Sequence, residues 1–420
     1  MSCDVRAMWE LVGGKAPAHW DFTTLEKLLE TPKSVSVGVM YPGSDTEGGV
    51  PLIKVSDVKN GVLVGKPDFC ISAEVDEEYK RTRLNGTELL ITLVGNPGDC
   101  VLVTKEMKDW NAARALAVVR LKNLELREWL RYVLLSRPAK HIIDARLNTT
   151  VQKTLNLKDV KELPIPLPPA SERDLITKNI RDIEKKLILN SQTNQTLEEM
   201  AQTIFKSWFV DFDPVKAKMN GEHPEGMDAA TASLFPDKLV ESELGLIPEG
   251  WEPKQLKDIL ELAYGKALKK TDRVEGKVPV YGSGGLTGFH NQSLVEGPGV
   301  IVGRKGTVGS VYWEPKAFFP IDTVFYVKPK AGYSLKYCHL VLQNLGLKNM
   351  NTDAAVPGLN RNNAYRLGVL TPSPVVLNKF NIIMQSFQCQ IDANNVQSTN
   401  LSLLRDTLLP ELLSGNLLIP

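Results

Sequence analysis

Two stretches of this chain share one pattern. Residues 17–30 read PAHWDFTTLEKLLE, and residues 248–261 read PEGWEPKQLKDILE. A Gly-x-x-Gly loop also recurs, at 95–98 and at 306–309, as does a Leu-Asn pair followed by Leu and Pro, at 155–168 and at 359–372. The three matches keep their order, while the distance between copies falls from 231 to 211 to 204 residues. The sequence therefore predicts a duplicated domain whose first copy carries the longer loops.

A long helix follows each copy. Apolar residues recur at three- and four-residue spacing from Ile176 to Trp208, and again 204 residues later from Phe380 to Leu412. This heptad pattern predicts two antiparallel helices that pack on each other in a rod about 50 Å long, at roughly 1.5 Å per residue. Ser171, with Asp174 three residues later, is the predicted N-cap of the first helix. Both runs are interrupted by polar residues at the same two places, which should fix the register of the pair: Asn190, Asn194, Asn394 and Ser398.

The expected fold class is α+β, with two globular domains of mixed, twisted β-sheet and short helices, separated by the pair of long antiparallel coiled-coil helices in a pseudo-two-fold repeat. The predicted segments are an N-terminal segment (1–16), a first domain (17–168), a central helix (169–212), a connector (213–247), a second domain (248–372) and a distal helix (373–420). The short helix candidates are Leu126–Leu135 and Leu335–Leu345. The strand candidates are Leu89–Val94, Val101–Thr104, Val300–Val302, Val311–Trp313 and Thr323–Val327.

Composition excludes several classes of protein. The chain is 43% hydrophobic and 24% charged, which favours folded cores over disorder. It contains no apolar run long enough to cross a membrane, and its first residues lack the apolar segment of a signal peptide. The five cysteines and five histidines are scattered, which disfavours disulfides and a metal centre and favours a cytoplasmic protein.

The small net charge of +1 is unevenly distributed. Residues 17–170 carry about +1, residues 171–247 carry −5, and residues 248–372 carry +6. A basic domain suits phosphate binding, although a solvated basic surface explains the same excess.

The motifs around the helices resemble the conserved regions of the specificity subunits of type I restriction-modification enzymes. The central region is FKSWFVDFDPVKAK (205–218) with GLIPEGW (245–251), and the distal region is LRDTLLPELLSG (404–415). TTVQK (149–153) and LPIPLPP (163–169) resemble the junction between a recognition domain and its helix. The resemblance extends over essentially the whole chain, and inside the two domains it is architectural.

This resemblance implies a non-catalytic reader of double-stranded DNA. Each target recognition domain would read one half of an interrupted site, and the helices would set the spacing and dock two modification subunits. Those partners would use S-adenosylmethionine to methylate adenine, and restriction subunits would add ATP- and Mg²⁺-dependent translocation and cleavage. No cofactor or metal is expected on this chain itself.

Two other functions are compatible with parts of the sequence. Asp68, followed by Glu78 and Lys80, fits the loose carboxylate-and-lysine pattern of metal-dependent nucleases, although the second domain has no counterpart and a solvated acidic loop is the simpler explanation. The heptad pattern alone would suit a coiled-coil scaffold. A lone methyltransferase is disfavoured because no glycine-rich cofactor loop and no Asn/Asp-Pro-Pro-aromatic motif are present.

Candidate DNA contacts are basic and amide side chains near glycine-containing loops, since Arg and Lys bind phosphates or guanine edges and Asn and Gln bind adenine. Solvation or a turn-forming role is the alternative for each of them. In the first domain they are Lys54, Asn96, Lys105, Gln152, Lys153 and Asn156. In the second they are Tyr281, Ser283, Arg304, Lys305, Thr307, Asn360 and Arg361.

Four aromatic residues at the end of the central helix are candidates for partner binding: Phe205, Trp208, Phe209 and Phe212. Trp208 fits the heptad pattern, whereas Phe209 and Phe212 lie off it and are expected to face a partner subunit. Burial against a recognition domain is the competing explanation.

Overall fold

The computed structural model describes residues 4–59, 61–147, 153–350 and 358–417. The chain forms two compact units. Unit 1 comprises residues 1–189 and 397–420, and unit 2 comprises residues 190–396. Each unit therefore contains one globular domain and part of each long helix.

Unit 1 is built from short elements. Its helices before the first long helix are α1 (Val5–Leu11), α2 (Leu25–Leu28), α3 (Ala73–Glu78), α4 (Leu126–Leu135), α5 (Arg137–Ala145) and α6 (Leu157–Lys161). Its strands are β1 (Asp21–Thr24), β2 (Val35–Val37), β3 (Val50–Ile53), β4 (Val58–Lys59), β5 (Val62–Leu63), β6 (Cys70–Ile71), β7 (Leu89–Thr92), β8 (Cys100–Leu102), β9 (Asn111–Ala112), β10 (Leu116–Val119) and β11 (Pro164–Leu167).

Unit 2 begins within the first long helix, α7 (Ala170–Lys206), which ends in a π-helical turn, Ser207–Asp211. Its other helices are α8 (Asp213–Met219), α9 (Ala229–Ser233), α10 (Leu256–Ile259), α11 (Leu335–Asn344) and α12 (Arg361–Tyr365), followed by the second long helix, α13 (Pro374–Leu413). Its strands are β12 (Leu239–Ser242), β13 (Gly245–Pro248), β14 (Glu252–Gln255), β15 (Leu260–Tyr264), β16 (Val278–Gly282), β17 (Gly285–His290), β18 (Gly299–Gly303), β19 (Val311–Glu314), β20 (Phe319–Pro320), β21 (Val324–Pro329) and β22 (Gly368–Thr371).

The two globular domains share their sheet topology. An antiparallel sheet has the order β2-β10-β7-β8 in unit 1 and β15-β21-β18-β19 in unit 2. A smaller mixed sheet, with one parallel pair, has the order β6-β3-β9 in unit 1 and β17-β16-β20 in unit 2. The start and end of each domain pair as β1 with β11 and as β14 with β22. The duplication predicted from sequence is thus a duplication of fold.

The repeated Trp-x₄-Leu stretches place equivalent side chains in the two cores. Trp20 and Leu25 are buried in unit 1, and Trp251 and Leu256 are buried in unit 2. The short helices α4 and α11 also begin where the sequence predicted, and each presents an apolar face to its own core. Both domains are therefore α+β structures, as expected.

The long helices pack antiparallel within each unit. In unit 1, Ile176 and Ile180 of α7 share a core with Leu412 and Leu413 of α13. In unit 2, Phe205 of α7 shares a core with the early part of α13. The heptad seam predicted from the sequence is therefore confirmed, and α7 alone extends about 55 Å at roughly 1.5 Å per residue.

Of the four predicted polar residues, Asn190, Asn194 and Asn394 lie in unit 2 and are linked by hydrogen bonds there, whereas Ser398 belongs to unit 1. Asn190 Nδ2 donates to the Asn394 carbonyl oxygen at 3.4 Å, and Asn394 Nδ2 donates to Asn194 Oδ1 at 2.8 Å. Asn194 Nδ2 in turn donates to Asn395 Oδ1 at 2.9 Å. Because Asn190 and Asn394 are 1% and 7% exposed, a shift of register would leave buried amides unpaired.

One local expectation needs correction. The first long helix begins at Ala170, so Ser171 lies inside its first turn and is not the N-cap. The connector at 213–247 is partly folded: it contains α8, α9 and the β12–β13 hairpin, and Val215 and Phe235 are buried in the unit 2 core. A proline in the first turn of α8 and the Asp228 cap of α9 explain why those helices start where they do.

Candidate nucleic-acid interface

The second loop, defined here as residues 304–310, connects β18 to β19. The Gly303 amide donates to the Ser310 carbonyl oxygen at 2.8 Å, and the Gly309 amide donates to the Gly303 carbonyl oxygen at 2.9 Å. Gly309 has a φ of +68°, and a Cβ there would lie 2.3 Å from the backbone carbon of Leu347. Glycine is therefore required at this position, and the loop is held against α11 and its following turn.

A tight turn at residues 283–284, between β16 and β17, lies beside the second loop. The Ser310 hydroxyl donates to the Ser283 carbonyl oxygen at 2.7 Å, and the Tyr312 hydroxyl donates to the same oxygen at 3.1 Å. A Cβ on Gly284 would lie 3.9 Å from Thr307 Oγ1. The structure thus brings Ser283 and Thr307 together, as two of the predicted contact residues.

The segment 358–361 pairs with the same loop. Lys305 forms a β-bridge with Gly358, and the Leu359 amide donates to the Arg304 carbonyl oxygen at 2.8 Å. Asn360 caps α12, since its Oδ1 accepts from the Asn362 and Asn363 amides at 2.9 and 3.2 Å. Arg361, the first residue of α12, is placed next to Arg304 by this pairing.

Tyr264, which the sequence did not single out, joins the two arginines. The guanidinium carbons of Arg304 and Arg361 lie 5.2 and 4.7 Å from the centre of its ring, and the residue is 49% exposed. We call Tyr264, Arg304 and Arg361 the guanidinium cluster. The sequence feature that could have pointed to Tyr264 is its position directly before Gly265. A Cβ on Gly265 would lie 2.1 Å from the Ile321 carbonyl oxygen, so glycine is needed there.

Tyr281 is placed differently from the other candidates of the second domain. It is half-buried, and its hydroxyl donates to Glu314 Oε2 at 2.8 Å. Burial and the Glu314 carboxylate raise the pKa of this phenol. Its polar atom is therefore engaged inside the domain.

The first loop, residues 93–99 of unit 1, has the same construction. The Gly98 amide donates to the Thr92 carbonyl oxygen at 2.8 Å, and the Leu155 amide donates to the Leu93 carbonyl oxygen at 2.9 Å. Val94 forms a β-bridge with Thr154, which brings the exposed Asn96 near the segment that carries Lys153 and leads to Asn156. These three predicted contact residues are all exposed, on the first loop or on the segment that pairs with it.

Lys54 lies near the first loop, because its neighbour Val55 would be 3.8 Å from a Cβ on Gly95. Its ammonium group is already engaged, at 3.4 Å from Asp68 Oδ1 and 4.3 Å from the centre of the Phe69 ring. Lys105 is exposed but lies at the opposite end of the β7–β8 hairpin, beside Gly86. Gln152 lies outside the described residues.

The structure contradicts a partner-facing position for three of the four aromatic residues, Phe205, Trp208 and Phe209, whereas the role of Phe212 stays a prediction. Phe205, Trp208 and Phe209 are 4%, 6% and 6% exposed in the unit 2 core, where Phe209 packs 4.9 Å from Phe380 and 5.8 Å from Trp251 between ring centres. Phe212 is half-buried, 5.8 Å from the Trp251 ring. Burial against the second domain, the competing explanation, accounts for Phe205, Trp208 and Phe209.

Two of the three residues of the nuclease pattern, Asp68 and Lys80, form ion pairs with side chains outside that pattern. Asp68 pairs with Lys54, Lys80 Nζ lies 3.0 Å from Glu77 Oε1, and Glu78 is exposed. Within the described residues no three His, Cys, Asp or Glu side chains are grouped so as to hold a metal ion. The four cysteines in that part of the chain are free thiols, and burial raises the pKa of Cys100 and of Cys338 to about 12. No helix in the described ranges has the length and hydropathy needed to span a membrane.

Comparison with known proteins assigns the family. The family model of the type I restriction modification DNA specificity domain matches residues 43–199 and 248–362, more than half of the chain and one match in each domain. The HindI specificity subunit of Haemophilus influenzae is 26% identical, over 70% of this chain and 78% of its own length. The EcoBI specificity subunit of Escherichia coli is 30% identical over 40% of this chain and 35% of its own length.

A solved structure shares the fold. The type I restriction-modification S subunit from M. genitalium superposes with a TM-score of 0.55 over 94% of this chain and 96% of its own, at 18% identity. The nuclease alternative finds no support among these relatives. The duplicated domains, the paired helices and the two family matches agree, and this chain belongs to the type I restriction-modification DNA specificity family, as a specificity subunit.

Proposed function

We propose that this chain selects the DNA target of its restriction-modification complex, with each globular domain reading one half of an interrupted site in double-stranded DNA. The observation that carries the proposal is that one fold, with one glycine-bounded loop at an equivalent sheet edge, occurs once in each unit. Two copies of a reader on one chain suit two separated half-sites.

The second loop supplies the chemistry that such a reader needs. Lys305 and Thr307 are exposed on it, and the guanidinium cluster lies beside it. Cationic side chains on a rigid loop suit phosphates and guanine edges, and Ser283 adds a small polar side chain. In the first domain the corresponding candidates are Asn96, Lys153 and Asn156, whose amides and ammonium group suit adenine and phosphate.

The direct test is to express the chain with its modification subunits in cells that have no other adenine methyltransferase, and to map methylated adenines across the genome. We expect one motif made of two short specified halves separated by a gap of fixed length. A single uninterrupted motif, or methylation without a motif, would contradict the proposal.

In this proposal the chain has no catalytic role. Two modification subunits bind S-adenosylmethionine and methylate adenine, restriction subunits use ATP and Mg²⁺, and the chain binds none of these cofactors. Incubating the purified chain with duplex DNA and Mg²⁺ should give no cleavage. Cleavage that disappears in the Lys80→Ala variant but not in a Lys108→Ala control would instead identify a nuclease.

The helices are proposed to set the gap between the half-sites and to dock the modification subunits. Asn190 and Asn394 lie at the same level of the antiparallel pair, so residue 187 is level with residue 397. One heptad inserted after Leu187 and another after Val396 should keep the seam, keep the asparagine layer and lengthen the pair by roughly 10 Å, about 3 base pairs. The half-sites should stay the same while the gap grows; an unchanged gap would show that the helices do not set it.

A further inference from the structure

The guanidinium cluster contains two arginines in different bonding states. Arg304 donates from Nε and from Nη2 to the Asp322 carbonyl oxygen, at 3.2 and 2.7 Å. Arg361 makes no hydrogen bond and no ion pair from its side chain within the described residues, and its Nε is buried without a partner. Arg304 is thus anchored by the protein, whereas the terminal amino groups of Arg361 are uncommitted.

We propose that Arg361 reads a guanine in the half-site of the second domain, with Tyr264 as the stacking surface that orients it. This rests on the proposed function, and it names one base and one residue within it. The guanidinium of Arg361 lies 4.7 Å from the Tyr264 ring centre and 5.7 Å from that of Tyr365. Two aromatic neighbours restrict the directions that a planar guanidinium can take.

The backbone that carries Arg361 is also fixed. The Leu359 amide bonds to the second loop, Ala364 is buried, and the Tyr365 hydroxyl accepts from the Leu262 amide at 2.9 Å. Binding a base costs the conformational entropy of the side chain that becomes ordered, and here the protein restricts that side chain before DNA binds. The arrangement therefore suits specific recognition better than an exposed arginine on a free loop would.

Electrostatics favours an anionic, guanine-containing ligand. Neither Arg304 nor Arg361 forms an ion pair in the described part of the chain, and the exposed Lys305 adjoins them. The phosphate backbone would draw DNA to this site, and a guanine presents O6 and N7 as paired acceptors in the major groove. Because Nε is covered, the two Nη groups are the donors for that bidentate contact.

The equivalent positions in the described part of the first domain carry different side chains. By backbone pairing, Arg304 corresponds to Leu93 and Arg361 corresponds to Leu157. Tyr264 is the last residue of β15, and the last residue of the equivalent strand β2 is Val37. The inference therefore concerns one position in one half-site. Loss of Arg361 should leave the other half-site untouched.

The test uses the chain assembled with its modification subunits. Arg361→Ala, Arg361→Lys and Tyr264→Ala are compared with Arg366→Ala, an exposed arginine directly after the same short helix that contacts no aromatic ring in the described structure. Binding is measured on duplexes that carry each of the four base pairs at every position of the mapped target, and methylated adenines are mapped in cells. Thermal unfolding and complex assembly show whether each variant is folded.

We expect Arg361→Ala to remove the preference for G·C at one position of one half-site, a loss of about 5- to 150-fold in discrimination there. Arg361→Lys should keep most of the affinity but lose that preference, because an ammonium lacks the two-pronged donor geometry. Tyr264→Ala should weaken the same preference and Tyr264→Phe should restore it, whereas a merely structural role would not act on a single base position. Arg366→Ala should change neither.

Two outcomes would overturn the inference while leaving the proposed function intact. Uniform weakening on all sequences would make Arg361 a phosphate contact, and an unchanged motif and affinity in a folded Arg361→Ala complex would remove it from the DNA face. If the wild-type complex itself shows no bipartite motif, the proposed function fails, and that result is obtained before any variant is made.

Discussion

The first and second loops have the same backbone and different side chains. Each loop is closed by a backbone hydrogen bond from the residue before it to the carbonyl oxygen of its last residue. The Thr92 amide donates to Asp99 at 2.9 Å, and the Gly303 amide donates to Ser310 at 2.8 Å. In each, the loop also pairs with the segment that leads into a short helix. Yet the positions of Arg304 and Lys305 are occupied by Leu93 and Val94 in the first domain, and Leu93 is 5% exposed. The fold thus fixes where the loop is presented, and the side chains decide what the loop can contact.

The cores around the ends of the long helices differ in the same way. In unit 2 the end of α7 places Phe205, Trp208 and Phe209 next to Trp251. In unit 1 the residues 204 positions later are leucines, which pack near Trp20. An equivalent site is filled by aromatic rings in one unit and by branched aliphatic side chains in the other. Cores of similar volume can be built from either kind of residue.

The largest effect should come from giving the second site the side chains of the first. We expect the combined variant Tyr264→Val, Arg304→Leu, Lys305→Val and Arg361→Leu to lower the affinity of the assembled complex for its target by about 100-fold or more, because it removes a base contact and phosphate contacts together. Fluorescence anisotropy with a labelled duplex measures this. The first half-site should still be selected, and retention of full affinity would place the DNA-binding face elsewhere on the domain.

The next largest effect concerns the glycines that end the Gly-x-x-Gly turns. A Cβ on Gly309 meets the backbone of Leu347, whereas one on Gly98 would lie 2.5 Å from the flexible end of Ile143, and both residues have positive φ. We expect Gly309→Ala to lower the free energy of unfolding by about 4 kcal/mol and Gly98→Ala by about 2 kcal/mol. The Ile143 side chain can move away from a new Cβ at residue 98, whereas the Leu347 backbone cannot move away from one at residue 309. Calorimetric unfolding of the two variants tests this, and equal losses would show that strain in φ, common to both, dominates.

A pH effect should distinguish the two units. His339 is the fifth residue of α11, and Leu130 is the fifth residue of α4. Burial and the nearby Lys336 lower the pKa of His339 to about 3, and its ring packs 5.6 Å from that of Trp313. Below pH 6.5 the imidazole of His339 is therefore protonated in the unfolded chain, whereas in the folded domain it stays neutral until about pH 3. Acidification across that range favours unfolding.

At pH 5 this difference should cost about 2 kcal/mol of stability in unit 2. The measurement is calorimetry from pH 7.5 to pH 5 on the wild type and on His339→Leu, which copies the residue of unit 1. The variant should lose less stability on acidification than the wild type. Parallel pH profiles for the two proteins would show that His339 does not control this response.

The smallest effect should come from the charge of Lys305 alone. In the assembled complex, Lys305→Glu should make the plot of log K against log salt shallower by about 1, because one phosphate contact is lost. Val94→Lys in the first loop is the converse variant and should steepen it by a similar amount. An unchanged slope and affinity for Lys305→Glu would remove this lysine from the DNA face.

Much of the candidate site could be located from the sequence, because the loops are marked by glycines with restricted roles. The sequence showed the Gly-x-x-Gly loop and the Leu-Asn segment as two separate repeats, and the structure shows that they pair with each other in both domains. The Leu359 amide donates to the Arg304 carbonyl oxygen, and the Leu155 amide donates to the Leu93 carbonyl oxygen. The sequence did not reveal Tyr264, because its role depends on two arginines that are 40 and 97 residues away. It also placed Lys105 with the other candidates, although strand pairing carries that lysine to the far end of the hairpin.

What the sequence determined by itself was the duplication and the paired helices. Local periodicity and turn residues encode these features, and they recur in the same order in both halves. Tertiary structure decided which side chains remain available. The heptad pattern placed Phe209 off the seam, and only the packed second domain covers it. Composition made the second domain basic, but only tertiary contacts anchor Arg304 on the Asp322 carbonyl oxygen while Arg361 forms no side-chain hydrogen bond within the described residues. Availability depends on contacts between residues distant in the chain, and a local sequence pattern does not encode those contacts.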